Sequence, residues 1–320
     1  MNLPNVLIAG GTCYIGTACH KMAMDMQLNP IVLTRSISSQ NKLREQNIAT
    51  IHGNLFHDGE WNELAKTVEY AVFLASPPTW GAKVTKKVAE TYQKDHQIMT
   101  RKFLEAFVGS KVKKIVYVAG TSYFGDAGDT QPQNKSIHPN PKGWGPYIAP
   151  SIKIVMDYIQ KGLPITIVFP GQVYGPGSWL EQLCLQPIYS GKKLTRLKGY
   201  SPIYSPIHVE DCGRAIIHLL TTGQIGEKYI LVDDMPVHSR EFSAFIAEQL
   251  STPLQIREVP KWLCNLVIGP VLTEYATIHT NFSNKKLKAT GFTFNYPTYE
   301  KGLPNVIQTW LAQQNANFVH

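Results

Sequence analysis

Long hydrophobic runs are missing from this 320-residue chain. No apolar stretch approaches the ~20 residues that a membrane-spanning helix needs. The opening, Met1 to Gly11, has no basic stretch, and its apolar run is too short for a secretory signal. The expectation is a soluble, cytoplasmic protein. Cysteine is also scarce. Cys13, Cys19, Cys184, Cys212 and Cys264 are scattered, odd in number and without Cys-x-x-Cys spacing. They read as reduced thiols rather than a disulfide framework. The histidines are equally dispersed, so no metal site is expected. Charge is modest at 17% of residues, with a net +8. Its basic residues fall in short clusters: Lys111 with Lys113 and Lys114, Lys192 and Lys193 with Arg196 and Lys198, and Lys285 and Lys286 with Lys288. No nucleic-acid module accompanies them. They read as solvated surface, or as a field favouring a phosphorylated cofactor or anionic substrate. The partner expected is a small molecule, with neither nucleic acid nor membrane; a homodimer is compatible with the sequence. There are no internal repeats and no low-complexity tract.

What is present is a repeated alternation. Asn5-Val-Leu-Ile-Ala9, Pro30-Ile-Val-Leu-Thr-Arg35, Ala49-Thr-Ile-His52, Tyr70-Ala-Val-Phe-Leu-Ala75, Lys114-Ile-Val-Tyr-Val-Ala119 and Ile165-Thr-Ile-Val-Phe169 are short apolar runs. Segments of helical length separate them, one of them running from about Val84 to Val108. Buried strands alternating with helices predict an α/β fold with a Rossmann-type, doubly wound parallel sheet. The loops at Gly10, Thr34, Gly53, Ala75, Gly120 and Pro170 then line one crevice beyond the strands' carboxyl ends. Residues 1–170 read as the dinucleotide-binding domain. Residues 171–320 read mainly as a smaller substrate-binding lid, with 207–235 returning to the sheet. Ser239 to Leu250 reads as a helix with Ser239 as its N-cap.

Gly10, Gly11, Thr12, Cys13, Tyr14, Ile15 and Gly16 sit between the first strand and its helix. Small residues there let the backbone approach a pyrophosphate, and the helix start offers free N–H groups and a positive dipole end. With this turn, the chain resembles the extended or atypical short-chain dehydrogenase/reductases, the superfamily that includes epimerases and dehydratases. Gly10 and Gly16 match the ends of its GxxGxxG pattern, and Cys13 stands where the middle glycine is expected. Gly53-Asn54-Leu55 resembles the family's Gly-Asp-Leu, which implies adenine contacts for Asn54 and Leu55. Phe73-Leu-Ala75-Ser76 resembles the segment beside the cofactor ribose. Phe169-Pro170-Gly-Gln-Val173-Tyr-Gly-Pro resembles the segment that closes over the nicotinamide, and Ile207-His-Val-Glu-Asp211 resembles its His-Val-Asp-Asp turn.

The second strand ends Thr34-Arg35-Ser36. An acid there would hold a ribose 2′-hydroxyl. Arg35, with Arg44 or Lys42 in support, instead suits a 2′-phosphate. NADP(H) is therefore favoured over NAD(H). The resemblance further implies a tyrosine, a lysine four residues later, and a serine or threonine after the fifth strand. Lys153, with Asp157 one turn on, matches the lysine helix, but four residues before Lys153 stands Ala149. Tyr147 is the alternative proton donor. Pro150 disfavours helix before it, so Tyr147 is expected in the preceding loop, swung toward Lys153. The serine position aligns with Gly120; Thr121 either substitutes for it or serves the turn. The leading expectation is an NADP-dependent oxidoreductase acting on a carbonyl or alcohol of a small organic molecule. The loop aromatics Trp80, Trp144, Trp179, Tyr200, Tyr204, Trp262 and Tyr275 suggest that the molecule is fairly apolar. The departures at Cys13, Gly120 and Ala149 keep two alternatives open: a non-redox cyclase, isomerase or dehydratase, and a catalytically silent nucleotide-binding protein.

Overall fold

A computed structural model describes residues 3–79, 83–129 and 138–317; Trp80 lies outside the described residues. The first half of the chain alternates strictly. β1 (Asn5–Ala9), α1 (Tyr14–Asp25), β2 (Asn29–Thr34), α2 (Ile37–Glu45), β3 (Ala49–His52), α3 (Glu60–Ala65) and β4 (Tyr70–Phe73) lead to the long α4 (Lys86–Glu105). Next come β5 (Lys114–Val118), a single 3-10 turn at Thr121–Tyr123, α5 (Gly145–Gln160) and β6 (Ile165–Pro170). The second half is less regular: β7 (Gln172–Tyr174), α6 (Gln186–Tyr189), β8 (Leu194–Leu197), β9 (Ile203–Tyr204) and β10 (Pro206–His208) precede α7 (Val209–Thr222) and β11 (Lys228–Leu231). The chain ends through β12 (Val237–His238), α8 (Ser239–Gln249), β13 (Ile256–Val259), α9 (Lys261–Val267), α10 (Pro270–Tyr275), α11 (Lys285–Lys288) and α12 (Tyr299–Asn317).

Seven strands form one sheet in the order β11-β6-β5-β4-β1-β2-β3, all parallel. This is the Rossmann-type α/β architecture. Alternation along each strand sorts side chains to two faces. Val6, Ile8, Val72, Val116 and Val168 pack with Cys19 and Ala23 of α1 and with α7. Leu7, Ala9, Phe73, Tyr117 and Ile167 face Phe103 of α4 and Ile152 and Val155 of α5. Strand order reverses between β1 and β4, and such a switch point opens a crevice at the strands' carboxyl ends. α1 and α7 meet closely: a Cβ on Gly213 would lie 2.7 Å from Ala18. A separate apolar core holds the second-half elements together, with Tyr174, Leu185, Phe242, Leu303 and Trp310 at its centre.

Two expectations need correction. α8 begins at Ser239 itself, and the capping position belongs to His238, which makes no side-chain cap. More consequentially, α5 begins at Gly145 and carries Pro150 inside it. The carbonyl of Trp144 accepts from the N–H groups of Tyr147 (3.0 Å) and Ile148 (3.2 Å), which closes the first turn ahead of the proline. Pro150 therefore removes one later bond without ending the helix, and Tyr147 is helical rather than in a loop.

Candidate active site

The turn between β1 and α1 is shaped by clearance. Gly10 has φ +89°, and a Cβ there would lie 2.7 Å from the backbone of Leu74 and Ala75 at the end of β4. A Cβ on Gly16 would stand 2.5 Å from the Gly10 carbonyl oxygen. One on Gly11 would meet the Val32 side chain at 2.8 Å. Glycine is thus required at Gly10 and Gly16, where backbone stands in the way, and at Gly11 a Cβ would have to displace the Val32 side chain. Cys13 is different: its φ of −82° and ψ of 165° are open to any L-residue. It caps α1, its Sγ accepting from the Gly16 N–H at 3.3 Å. The missing middle glycine therefore costs nothing in backbone conformation, but its sulfur engages one of the N–H groups at the helix start. Although the residue presents surface, the surrounding protein crowds the thiol. Desolvation raises its pKa despite opposing hydrogen bonds from Gly16 and Ile15. No acidic side chain occupies the first turn of α1, so its positive dipole end is not neutralised locally.

Around the same sheet edge, Thr34 is buried and its Oγ1 accepts from the Ser36 N–H at 3.3 Å. Ser36 caps α2 through the Ser39 N–H. Between them Arg35 is exposed and forms no ion pair among the described residues. The Oδ1 of Asn54 accepts from the Phe56 N–H at 3.1 Å, so its amide nitrogen is the end left for a ligand; Leu55 is buried. Ser76 Oγ lies 3.3 Å from the Tyr92 hydroxyl, and Ala75 is half-buried beside the Gly10 backbone. Pro170 ends β6, and the buried Val173 gives its carbonyl to Trp179 Nε1 at 2.8 Å.

The catalytic segment is split by the helix. Lys153 is exposed, on the side of α5 opposite Ile148, Ile152 and Val155. Ala149, one turn earlier, shares that strip. Tyr147 does not: six residues along a helix place it about 120° from Lys153. It packs instead with Val84, Val88, Val271 and Leu272. Its hydroxyl pKa is raised, first by burial and then by Glu90 and Glu274. Tyr147 and Lys153 are therefore not brought together. Thr121 opens the 3-10 turn after β5 and is only 3% exposed. At Gly120 a Cβ would meet only Ile148 at 3.6 Å and Ser122 at 3.8 Å, so a serine has room there and its hydroxyl is simply absent. Gly145, by contrast, is indispensable, because a Cβ would clash with the Ser122 carbonyl.

Several polar groups were not signalled by motif. His96 Nδ1 lies 2.9 Å from Ser151 Oγ, and Thr100 Oγ1 lies 3.0 Å from the Tyr117 hydroxyl. Burial drives the His96 pKa down to about 4, so the imidazole is neutral. Tyr92 stacks on His96 and tilts against Trp144 at 4.9 Å. Farther along the sheet edge, Asp233 is buried after β11, with Oδ1 accepting from the Met235 N–H at 2.9 Å. Burial pushes its carboxyl up to about 8. His96 and Thr100 lie one turn apart on the buried face of α4, and nothing local marked Asp233 as buried. The loop aromatics sort differently from the expectation that they face the cleft. Trp179 and Tyr204 pack in the second core, whereas Tyr200 and Trp262 are exposed. No group of His, Cys, Asp and Glu able to hold a metal occurs among the described residues.

Comparison with solved structures places this architecture. A dTDP-glucose 4,6-dehydratase from Bacillus anthracis, in complex with NAD, is similar at TM-score 0.80 and 20% identity over 98% of both chains. A dTDP-glucose 4,6-dehydratase from Streptomyces venezuelae is similar at TM-score 0.82 and 17% identity, covering 97% of this chain and 98% of that one. The UDP-glucose 4-epimerase of Thermus thermophilus, in complex with NAD, gives TM-score 0.80 and 16% identity, covering 95% and 98%. No curated protein matches the sequence. The model of one enzyme family matches residues 6–231, from β1 to the last strand of the sheet, and the chain belongs to that family, the NAD dependent epimerase/dehydratase family.

Proposed function

We propose that this enzyme is an NADP(H)-dependent oxidoreductase acting on a carbonyl or alcohol of a small, fairly apolar molecule. The observation that carries the reading is the Gly10–Gly16 turn, where three Cβ positions are closed by protein at 2.5–2.8 Å. That clearance fits a dinucleotide whose pyrophosphate meets bare backbone and the start of α1. Gly10, Gly11, Thr12, Cys13, Tyr14, Ile15 and Gly16 would hold the pyrophosphate. Thr34, Arg35 and Ser36 would hold the 2′-phosphate, and Asn54 and Leu55 the adenine. Ala75, Ser76 and Lys153 would hold the ribose next to the nicotinamide, with Pro170 and Val173 behind it. When bound, the dinucleotide supplies or accepts a hydride.

The chain's own contribution is binding, orientation and a proton. Thr121 orients the substrate oxygen. With alanine at 149 and Tyr147 turned toward α4 and α10, the Lys153 ammonium is the proton source, acting through solvent. The apolar group of Val84, Val271, Trp144 and Tyr147 between α4, α5 and α10 supports a largely apolar substrate wall. The missing hydroxyls at Gly120 and Ala149 favour a second reading, a redox-neutral cyclase, isomerase or dehydratase on the same site. Labelled hydride separates the two. NADPH deuterated at C4 is incubated with aldehydes, ketones and enones. Deuterium retained in a reduced product is the expected result. A product of unchanged oxidation state selects the second reading. Calorimetric absence of NADPH and NADH binding overturns both; binding with no turnover leaves a silent nucleotide-binding protein.

A further inference from the structure

α9 contributes no buried residue to any core. Trp262 is 64% exposed, Leu266 59%, Val267 63%, and Ile268, just past the helix, 37%. Trp262 and Leu266 are four apart and share one strip; Val267 and Ile268 follow at the helix's end, on other sides of its axis. Four large apolar side chains thus stand exposed along and just past α9, whose Leu263 and Cys264 are half-buried on the side that meets α10.

The patch has a basic rim at both ends. The Lys198 N–H donates to the Val259 carbonyl at 2.8 Å, so the β8–β13 ribbon sets Lys198 beside the start of α9. There the Lys261 ammonium lies 5.9 Å from the Tyr200 ring centroid. At the other end, the Val84 N–H donates to the Ile268 carbonyl at 2.9 Å. That bond brings Lys83, Lys86 and Lys87 next to the patch. All five lysines are exposed, and none forms an ion pair among the described residues. Two nearby carboxylates are engaged: Glu274 accepts from the Gly143 N–H at 2.9 Å, and Glu258 pairs with Arg240; Glu90 is exposed on α4 beyond Lys86 and Lys87, which leaves the rim net basic.

We propose that α9 and its lysine rim dock the protein on an anionic bilayer, with Trp262, Leu266, Val267 and Ile268 entering the interface. An apolar face combined with Lys attraction to anionic headgroups is the chemistry of an interfacial helix. Tryptophan is at home at that boundary. A second copy of the chain fits the face poorly, because two-fold pairing would set lysine rim against lysine rim. The helix lies on the surface and does not cross it; no described helix is long and apolar enough to span. This docking goes beyond the expectation of no membrane partner and is independent of the reaction proposed above.

Co-sedimentation with vesicles tests this. The full chain should bind mixed phosphatidylcholine–phosphatidylserine vesicles, bind phosphatidylcholine vesicles weakly, and lose binding as salt rises. Replacing Trp262, Leu266 and Val267 together by serine should lower partitioning ~tenfold or more. Lys83→Gln, Lys86→Gln and Lys87→Gln together should remove ~tenfold or more of the serine-lipid preference. Neither set lies in a core, so the unfolding midpoint should hold and show that both variants are folded. Absent binding by the native chain overturns the proposal. So does unchanged binding by either folded variant. A solution dimer that the triple serine variant makes monomeric also overturns it, and assigns the face to a second copy.

Discussion

At the Gly10–Gly16 turn each departure from the superfamily pattern is decided by backbone clearance; along α5 it is decided by rotation around a helix axis. Cys13 replaces a glycine yet sits at φ −82°, so the turn keeps its shape. Tyr147 stands only two positions from the expected tyrosine, yet the helix turns it toward Val84 and Val271. A binding site made of backbone survives a side-chain change wherever φ is negative and space is open. A catalytic site made of side chains does not survive a shift in register, because each residue turns its neighbour by ~100°.

The most severe way to break the comparison is at its backbone side. Gly16→Ala places a methyl 2.5 Å from the Gly10 carbonyl, and α1 must move. We expect a loss of about 3 kcal/mol or more in stability and no dinucleotide binding, read by thermal unfolding and calorimetry. Wild-type-like behaviour would remove clearance as the reason for the glycine. On the side-chain side, Lys153→Ala should weaken dinucleotide binding and lower turnover ~10²–10⁴-fold. Tyr147→Phe should leave both within about twofold, since the ring packs with Val84 and Val271 and lies about 120° around α5 from Lys153. A large turnover loss in Tyr147→Phe, measured on the best substrate, would return the tyrosine to the site.

Arg35 sharpens the comparison for the cofactor. Arg35→Ala should cost ~1.5–3 kcal/mol in NADPH affinity and leave NADH affinity unchanged. Equal affinities for both dinucleotides in the parent chain would sink the 2′-phosphate assignment. Asp233 tests the far end of the sheet edge through pH. Its folded pKa, about 8, lies above the ordinary carboxylate value of 3.8. The folded state therefore holds the proton more tightly, and this group's stabilisation is complete below about pH 4 and disappears as pH rises through about 8. Asp233→Asn should be more stable than the parent by about 1–3 kcal/mol at pH 8 and show little difference at pH 4. A parent–variant gap that does not grow with pH would mean that the carboxyl ionises freely. The smallest effect belongs to Cys13→Gly. Losing the Sγ cap should cost at most about 0.5–1 kcal/mol in stability, and freeing the Gly16 N–H should leave dinucleotide binding unchanged or tighter.

The inner strands β1, β4, β5 and β6 were legible because each is a short, largely apolar run closed by Gly, Pro or Ser. Asn5–Ala9 and Ala49–His52 appear as the alternation predicts. The nucleotide turn was legible because its glycines are consecutive in sequence with the elements they join. Tyr147 was misplaced because the proline rule is local. Trp144, at the foot of α5, supplies the carbonyl that starts the helix ahead of Pro150.

The sequence by itself determined the strand–helix alternation of residues 1–170, the phosphate-type turn and the absence of an acid after β2, since each depends on residues a few positions apart. Only the tertiary structure decided which face of α5 carries Lys153, that Asp233 is buried, and that Trp262 is not. Those outcomes depend on partners scores of residues away, such as Glu274 beside Tyr147 and Val84 beside Ile268. Burial and rotation are properties of packing, and no local pattern in the chain encodes them.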